Sequence, residues 1–424
     1  MLEQILDIRN IQMACKQVIR NGGSAGVDGM QTDELRDFLN VSWQPLRTDI
    51  LEGRYKPHAV KKVEIPKPQG GTRMLGIPTV IDRLIQQSIS KWMNNLWDKD
   101  FSDNSYGFRQ NKSAHQAVLQ AQQYLNEGYV YVVEMDLEKF FDKVNHDYLM
   151  YLLSQKIRDK RVLNLIGKYL RTGMMEGGVV SQRTEGTPQG SPLSPLLSNI
   201  LLNELDKELH ARGLRFVRYA DDCSIYVKSR KSADRVMRSI TGFIEINLKL
   251  KVNKAKSKVS RPTQSTLLGF SFYKMKNMWL IRIAKGSVLR MWDKVKRHLR
   301  RNNPSSLETK VKGLRAVIIG WMNYFMIAES KTILEKLDNL TRTRARICQW
   351  HQWKRVRTRI KHLIRLGIDR QKAYMWGNTS KGTCKVAHSP ILTSTLSIKY
   401  LSKLGLVSFY QYYYNKRKLQ LELF

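Results

Sequence analysis

Two adjacent carboxylates, Asp221 and Asp222, sit inside RFVRYADDCSIYV (215–227), between two short β-branched and aromatic runs. A third, Asp136, ends YVYVVEMD (129–136), which reads as a strand. Adjacent aspartates repel, so something cationic is expected beside them. Three carboxylates on neighbouring strands of one sheet could hold two divalent cations about 3.5–4 Å apart, the arrangement that clamps attacking and leaving oxygens in phosphoryl transfer. Mg²⁺ suits such oxygen donors and leaves positions for water and substrate phosphate. An isolated Asp-Asp pair is ordinarily a solvated turn, because Asp tolerates turn dihedrals. Here the flanking strands, the acid closing another strand and the basicity of the chain favour the metal.

The elements that must position these acids belong to a strongly basic chain. Its 424 residues carry 73 Lys and Arg against 36 Asp and Glu, a net charge of +37, and an apolar fraction of 42% is ample for packed interiors. The length exceeds one ordinary core and implies two or three domains. Such an excess of positive charge draws polyanions, of which nucleic acid is the common one. A membrane surface would favour a basic amphipathic helix or a lipidation site, and neither terminus shows one. The apolar stretch AVIIGWMNYFMIA (316–328) is broken by Gly320 and Asn323 and falls short of the roughly 20 residues that span a bilayer. Cys15, Cys223, Cys348 and Cys384 form no CxxC pair, which fits reduced thiols and argues against a disulfide framework or a zinc ribbon. The opening MLEQILDIRNIQMACKQVIRN lacks the apolar core of a signal peptide. A soluble, cytoplasmic, polyanion-binding protein without membrane contact is expected.

Helical periodicity covers residues 1–20, stops at the loop NGGSAGVDG (21–29) and resumes at TDELRDFL. AVKKVEIPKP and TRMLGIPTV, separated by QGG, form the pattern of a hairpin with a flexible tip, followed by a helix over 81–97. SPLSPLLSNILLNELDKELHARG predicts a helix opened by Ser194 and Pro195 and stopped by Gly213. After the 215–227 hairpin come a helix to about 248 and a strand over STLLGFSFY. Strands and helices interleave to about residue 280, which fits an α+β domain around a mostly antiparallel sheet. Beyond 285 nearly everything is helical and basic, so domain boundaries are placed near 280 and near 370.

YADD in a hairpin, MDLEKFFDKVNHD (135–147), GTPQGSPLSPLLSNILLNELD (186–206) and LLGFSF (267–272) resemble, in order and spacing, the successive motifs of reverse transcriptases. VEIPKPQGGTRMLGIPTVIDRLIQQSI (63–89), SYGFR (105–109) and GWMNYF (320–325) resemble the group II intron-encoded kind, reverse transcriptase and maturase. The resemblance implies a right-hand polymerase fold: fingers and palm over 1–280, a helical thumb over 281–370, and a small DNA-binding and maturase region over 371–424. It implies RNA-directed DNA polymerisation with two Mg²⁺ ions, using dNTPs on an RNA template and DNA primer duplex. Group II intron RNA and target DNA would be its partners, in a bacterial cytoplasm.

By the same resemblance Asp136, Asp221 and Asp222 match the metal ligands, and Leu137 the residue whose carbonyl helps hold an ion. Phe140 matches the bulky residue against which a deoxyribose packs and which a 2′-hydroxyl would meet. Lys67 and Arg73, at the rim of the hairpin tip, match residues that grip the triphosphate through charge-assisted bonds. Gln189 matches a contact to nucleotide sugar and base edge, beside Ser191 where many relatives carry a second glycine. Lys256, flanked by Lys254 and Lys258, matches a general-acid candidate for the departing pyrophosphate. Leu268 and Gly269 match the turn that grips the primer, and Gly23, Ser24, Ala25 and Gly26 lie in the loop with which the family covers template RNA. Plainer readings stand beside these: a core aromatic at Phe140 or its neighbour Phe141, a solvated tip at 67–73, a buried strand at LLGF, and a linker at 21–29.

Between Thr341 and Arg370 ten Lys or Arg accompany one acid. Apolar residues recur there at helical spacing, so one stripe packs inward while arginines cover the rest. The resemblance sets Arg344, Arg346 and Arg355 against the template–primer duplex, which is read mainly by backbone and shape. NTSKGTCKV carries Cys384 where relatives commonly have Trp. The chain shows no nuclease-like His and Cys cluster, so the endonuclease domain of many relatives is expected to be absent. Two rival functions differ in what they require. A non-catalytic splicing factor would have lost the carboxylates, and an RNA-dependent RNA polymerase would carry a smaller residue at the Phe140 position.

Overall fold

The runs on either side of QGG form antiparallel strands β1 (Val60–Pro66) and β2 (Thr72–Ile77), in register from Lys61 opposite Ile77 to Pro66 opposite Thr72. This computed structural model describes residues 1–66, 71–176, 179–181, 185–188 and 190–422. Lys67 and Gln189 therefore lie outside the described residues, as does the side chain of Arg73, whose backbone pairs with Ile65. The helix Val80–Trp97 begins where Thr79 both accepts from the Asp82 amide (3.1 Å) and donates to the Asp82 carboxylate (2.7 Å).

The chain divides into two compact units, Met1–Ser265 and Thr266–Phe424. In the first, YVYVVEMD supplies β3 (Tyr131–Met135). Two short strands, β4 (Met174–Glu176) and β5 (Val179–Ser181), join the first hairpin in the order β2-β1-β4-β5. A second sheet combines β3 with β6 (Arg215–Tyr219), β7 (Asp222–Val227) and β8 (Lys258–Ser260) in the order β6-β7-β3-β8, with every pairing antiparallel. Successive residues Val132 and Val133, Phe216 and Val217, and Ile225 and Tyr226 are all buried. Alternate side chains point to opposite faces, so this sheet is covered on both. The helices Ala114–Asn126, Ser194–Ala211 and Arg230–Ile246 provide the cover, and one apolar core runs from Leu2 through Leu201 to Ile240. Each fully buried Val, Leu or Ile in it contributes roughly 1.5–3 kcal/mol. The unit is mixed α+β.

In the second unit a hairpin, β9 (Phe270–Met275) with β10 (Met278–Ile283), precedes the helices Lys285–His298, Leu307–Phe325 and Lys331–Gln352 and a series of shorter ones. The stretch STLLGFSFY is not one strand. Leu268 (φ 51°) and Gly269 (φ 84°) are left-handed, and Leu267 and Phe270 exchange backbone hydrogen bonds at 3.0 and 2.9 Å across them. Paired positive φ values make this a tight turn of the primed kind. GWMNYF holds it: the Tyr324 hydroxyl donates to the Leu268 carbonyl (2.8 Å), and a Cβ on Gly269 would approach the Phe325 ring at 3.3 Å.

The division after Ser265 gives this hairpin to the helical unit, ahead of the change in composition near 280. Across residue 370, Trp350, Trp353 and Leu363 pack with Val386, Leu392 and Leu396 in one cluster. Buried Asp338 accepts hydrogen bonds from Ser408 Oγ (2.6 Å) and the amides of Phe409 (2.8 Å) and Tyr410 (3.1 Å), capping the helix Phe409–Glu422 from another element. Cys384 is exposed, so a small residue there opens no hole in that cluster. Among the described residues no helix is long and apolar enough to cross a membrane.

Candidate active site

β3 and β7 pair from Tyr131 opposite Val227 to Met135 opposite Cys223. Asp136 and Asp222 are the next residues beyond that last pair, close enough for the charge of Asp136 to act on Asp222. β6 and β7 are joined by the two-residue turn Ala220-Asp221, with Tyr219 opposite Asp222. Acids far apart in sequence thus arrive at one end of one sheet. Ala220 takes φ 56° at the first turn position, where a type II′ hairpin demands a positive value that glycine adopts more easily.

A buried network imposes that turn. Arg218 is 1% exposed and donates both arms to Asp206 (2.7 and 2.6 Å), with further bonds to Asn199 Oδ1 (3.0 Å) and to the Ala220 carbonyl (3.0 Å). Asn199 Nδ2 in turn donates to the Gly107 carbonyl (2.9 Å). The SYGFR segment lies along the hairpin, since the Tyr106 amide donates to the Arg218 carbonyl (2.9 Å) and a Cβ on Gly107 would fall 2.3 Å from the Ala220 nitrogen. Glycine alone fits there. Removing one partner from a buried pair of this kind costs about 3–5 kcal/mol, because the other charge is left uncompensated. Sequence reasoning missed these residues. The available signal was polar residues two helical turns apart, Asn199 and Asp206, within an otherwise apolar helix.

The electrostatics at the end of the sheet follow from crowding. Asp222 is open to solvent at its surface yet surrounded by dense protein; that environment first, then Asp221 and Asp136, pushes its carboxyl up to about 6. The segment KVNKAKSK is pinned beside Asp136: the Asp136 amide donates to Ser257 Oγ (3.0 Å), the Asn253 amide to the Asp136 carbonyl (2.8 Å) and the Glu138 amide to the Lys251 carbonyl (2.8 Å). Neither bond flanking the Leu137–Val252 bridge uses the Leu137 carbonyl. Lys256 Nζ lies 3.6 Å from the Asp136 carboxylate, whereas Lys258 turns to Glu134 at 3.7 Å. Of these two lysines, Lys256 is the one at the site. Among the described residues no three acidic, histidine or cysteine groups stand within reach of a single ion. The donor chemistry still fits a hard divalent cation, because oxygen donors that repel one another gather where a cation would relieve the repulsion.

Phe140 requires a correction. It is 2% exposed in the apolar core, so it has no face to offer a sugar. Its neighbour Phe141, 5.2 Å away between ring centroids, is half-buried and lines a cleft of about 360 Å³ with Leu75, Phe108, Gly190 and Pro195. The GTPQG loop is stitched to this region: the Thr187 amide donates to the Phe141 carbonyl (2.6 Å), and a Cβ on Gly190 would sit 2.9 Å from the Gly76 carbonyl oxygen. Ser191 supplies an anchor, its hydroxyl donating to buried Gln86.

The N-terminal loop is pinned. Arg83 donates to the carbonyls of Ser24, of Gly22 (3.5 Å) and of Pro78 (3.0 Å), and a Cβ on Gly26 would lie 2.7 Å from Thr79 Cα. Gly23 and Ser24 remain exposed, Ala25 is half-buried and Gly26 is buried. In the second unit Arg344 and Arg346 each spend a guanidinium bond on a helix end, donating to the carbonyls of Leu299 and Leu396 at 3.1 Å. Arg355, by contrast, is exposed at the start of the helix Val356–Arg365.

Residues 65–272 match the family model for reverse transcriptase (RNA-dependent DNA polymerase), and residues 288–367 match the group II intron maturase-specific domain. Over 272 residues the chain is 35% identical to Protein YkfC of Escherichia coli (strain K12), covering 55% of this chain and 71% of that protein. The chain belongs to the group II intron reverse transcriptases. It is also 32% identical over 210 residues to the group II intron-encoded protein LtrA of Lactococcus lactis subsp. cremoris, covering 49% of this chain but 35% of LtrA. A putative COX1/OXI3 intron 2 protein of Saccharomyces cerevisiae matches at 33% over 210 residues, 49% of this chain and 24% of that protein. The three acids, SYGFR and the GTPQG loop of this reverse transcriptase all fall inside the 65–272 match, whereas the loop 21–29 precedes it.

The raised Asp222 carboxyl has a thermodynamic consequence. A folded-state value above that of the unfolded chain means that stability is lost as pH rises from about 4 to 6 and stays lost above. Asp222→Asn is therefore expected to melt higher than the parent at pH 7.5 without divalent ions, the gap closing toward pH 4, as followed by thermal denaturation across pH.

Proposed function

We propose that the chain lengthens a DNA primer on an RNA template at Asp136, Asp221 and Asp222, using dNTPs. We further propose that it binds group II intron RNA, assists its splicing and copies it at a DNA target. The observation that supports the catalytic reading is the β3–β7 register, whose last pair, Met135 opposite Cys223, leaves Asp136 and Asp222 next on their strands inside the family match. In this reading the first unit serves as fingers and palm and the second as the thumb and maturase region.

The three carboxylates, with the Leu137 carbonyl, would hold two Mg²⁺ ions. When bound, these supply charge neutralisation at the phosphates and favour ionisation of the primer 3′-hydroxyl. The chain's own residues do the positioning. Phe141 walls the cleft where the sugar of a dNTP would rest, so a 2′-hydroxyl would meet its ring. Gly190 lets the GTPQG loop approach Gly76 closely enough to close that cleft. Lys67 and Arg73 would grip the triphosphate from the rim of the first hairpin. Lys256 places an ammonium beside Asp136, where it can give a proton to departing pyrophosphate. Basic helices of the second unit would hold the duplex through its backbone.

Two outcomes test this. Asp222→Ala is expected to lower primer extension on an RNA template at least ~100-fold, as for loss of a principal electrostatic group, while RNA binding by filter retention is largely kept; full extension by the variant would refute the site. Phe141→Ala should admit rNTPs relative to dNTPs, measured by competitive incorporation. Phe140→Ala should leave that choice alone and cost ~3–5 kcal/mol of stability as a core truncation.

A further inference from the structure

SYGFR contains a feature that packing does not explain. Phe108 stands in the left-handed region (φ 58°) with 53% of its surface exposed. For a bulky residue that conformation is an outlier, and it persists only where the surroundings over-determine it. Both flanks are fixed. Gly107 is locked against the Ala220 turn and held by Asn199. Arg109 donates to the Asp98 carboxylate (2.8 Å) and to the carbonyls of Ser102 (2.6 Å), Ser105 (3.1 Å) and Asp98 (2.9 Å). The backbone between them has to turn left-handed, a demand that glycine or asparagine would meet with less strain. An aromatic ring there gains little burial in return.

Phe108 lines the cleft of about 360 Å³ together with Phe141, Leu75, Pro192, Pro195 and Gln87. A phosphate has no use for such a surface. A nucleobase has, because its flat face stacks on aromatic rings while its edge seeks hydrogen-bonding groups. Gly107 ties this ring to the turn that carries Asp221. We propose that Phe108 is a stacking platform for one nucleobase of the nascent pair, incoming or templating, and that this contact keeps a strained aromatic at the position. The proposal rests on the active-site reading above.

The test uses the full chain, an oligo(dT) primer on poly(rA) and dTTP. Stacking on an aromatic is worth ~1–3 kcal/mol per base, or about 5–150-fold. Phe108→Ala should raise the dTTP KM by such a factor, or lower kcat/KM equally if the template base is the one held, and Phe108→Trp should restore it. Phe108→Gly should show the same kinetic loss while melting no lower than the parent, since it relieves the strain. A template with an abasic site opposite the incoming base separates the arms. The Ala defect vanishes there if the templating base stacks and persists if the incoming base does. Unchanged kinetics in Phe108→Ala, or a Trp variant no better than Ala, would overturn the platform. An extending Asp222→Ala would instead overturn the active-site reading, so the two failures are distinct.

Discussion

The pairing register of β3 with β7 is the constraint on which everything at this site depends. Side chains alternate with a period of two, so a slip of one residue would turn Asp136 to the other face and exchange the two buried rows of the sheet. Both faces are packed, with Val132 and Val133 equally inaccessible, so no alternative register buries the same side chains against the same helices. The hairpin end is then closed by Arg218, which reaches from β6 to the Ala220 carbonyl while Asp206 neutralises it in the interior. Such a pair is weak evidence for stability. Here its value is geometric, since it fixes a turn that an alanine would not choose alone.

The site also sets local charge against global charge. A chain of net +37 gathers acids at one end of this sheet, where burial first and then the neighbouring acids raise the Asp222 carboxyl. Stability is lower there in the absence of a cation, which is the usual relation between a prepared site and the fold that carries it. Phe108 repeats the pattern in the backbone: a strained conformation, held from both sides, at the wall of the cleft that Phe141 also lines.

The sequence alone places the acids, the helix Ser194–Ala211 and the first hairpin, because alternation, proline and turn residues are local signals. Other features depend on single-residue resolution or on distant partners. Phe140 and Phe141 are adjacent aromatics following Lys139, which is left-handed at φ 48°, and no periodicity says which ring turns inward. LLGF has the composition of a strand but folds as a turn because Tyr324 and Phe325, far along the chain, grip it. Arg83, Arg344 and Arg346 look like surface charge in a basic chain; each instead serves backbone carbonyls that only the folded structure brings near. The Arg218 network combines both difficulties, since its acid and amide lie in an apolar helix and its basic member in a strand.

The proposed chemistry requires Asp136, Asp221 and Asp222 to act together on a shared pair of divalent ions. Anomalous scattering from crystals grown with Mn²⁺, a primer–template duplex and a non-hydrolysable dNTP tests it most directly. Two peaks about 3.5–4 Å apart are expected, each touching these carboxylates. Peaks bound elsewhere, with Asp136 still turned to Lys256, would contradict it.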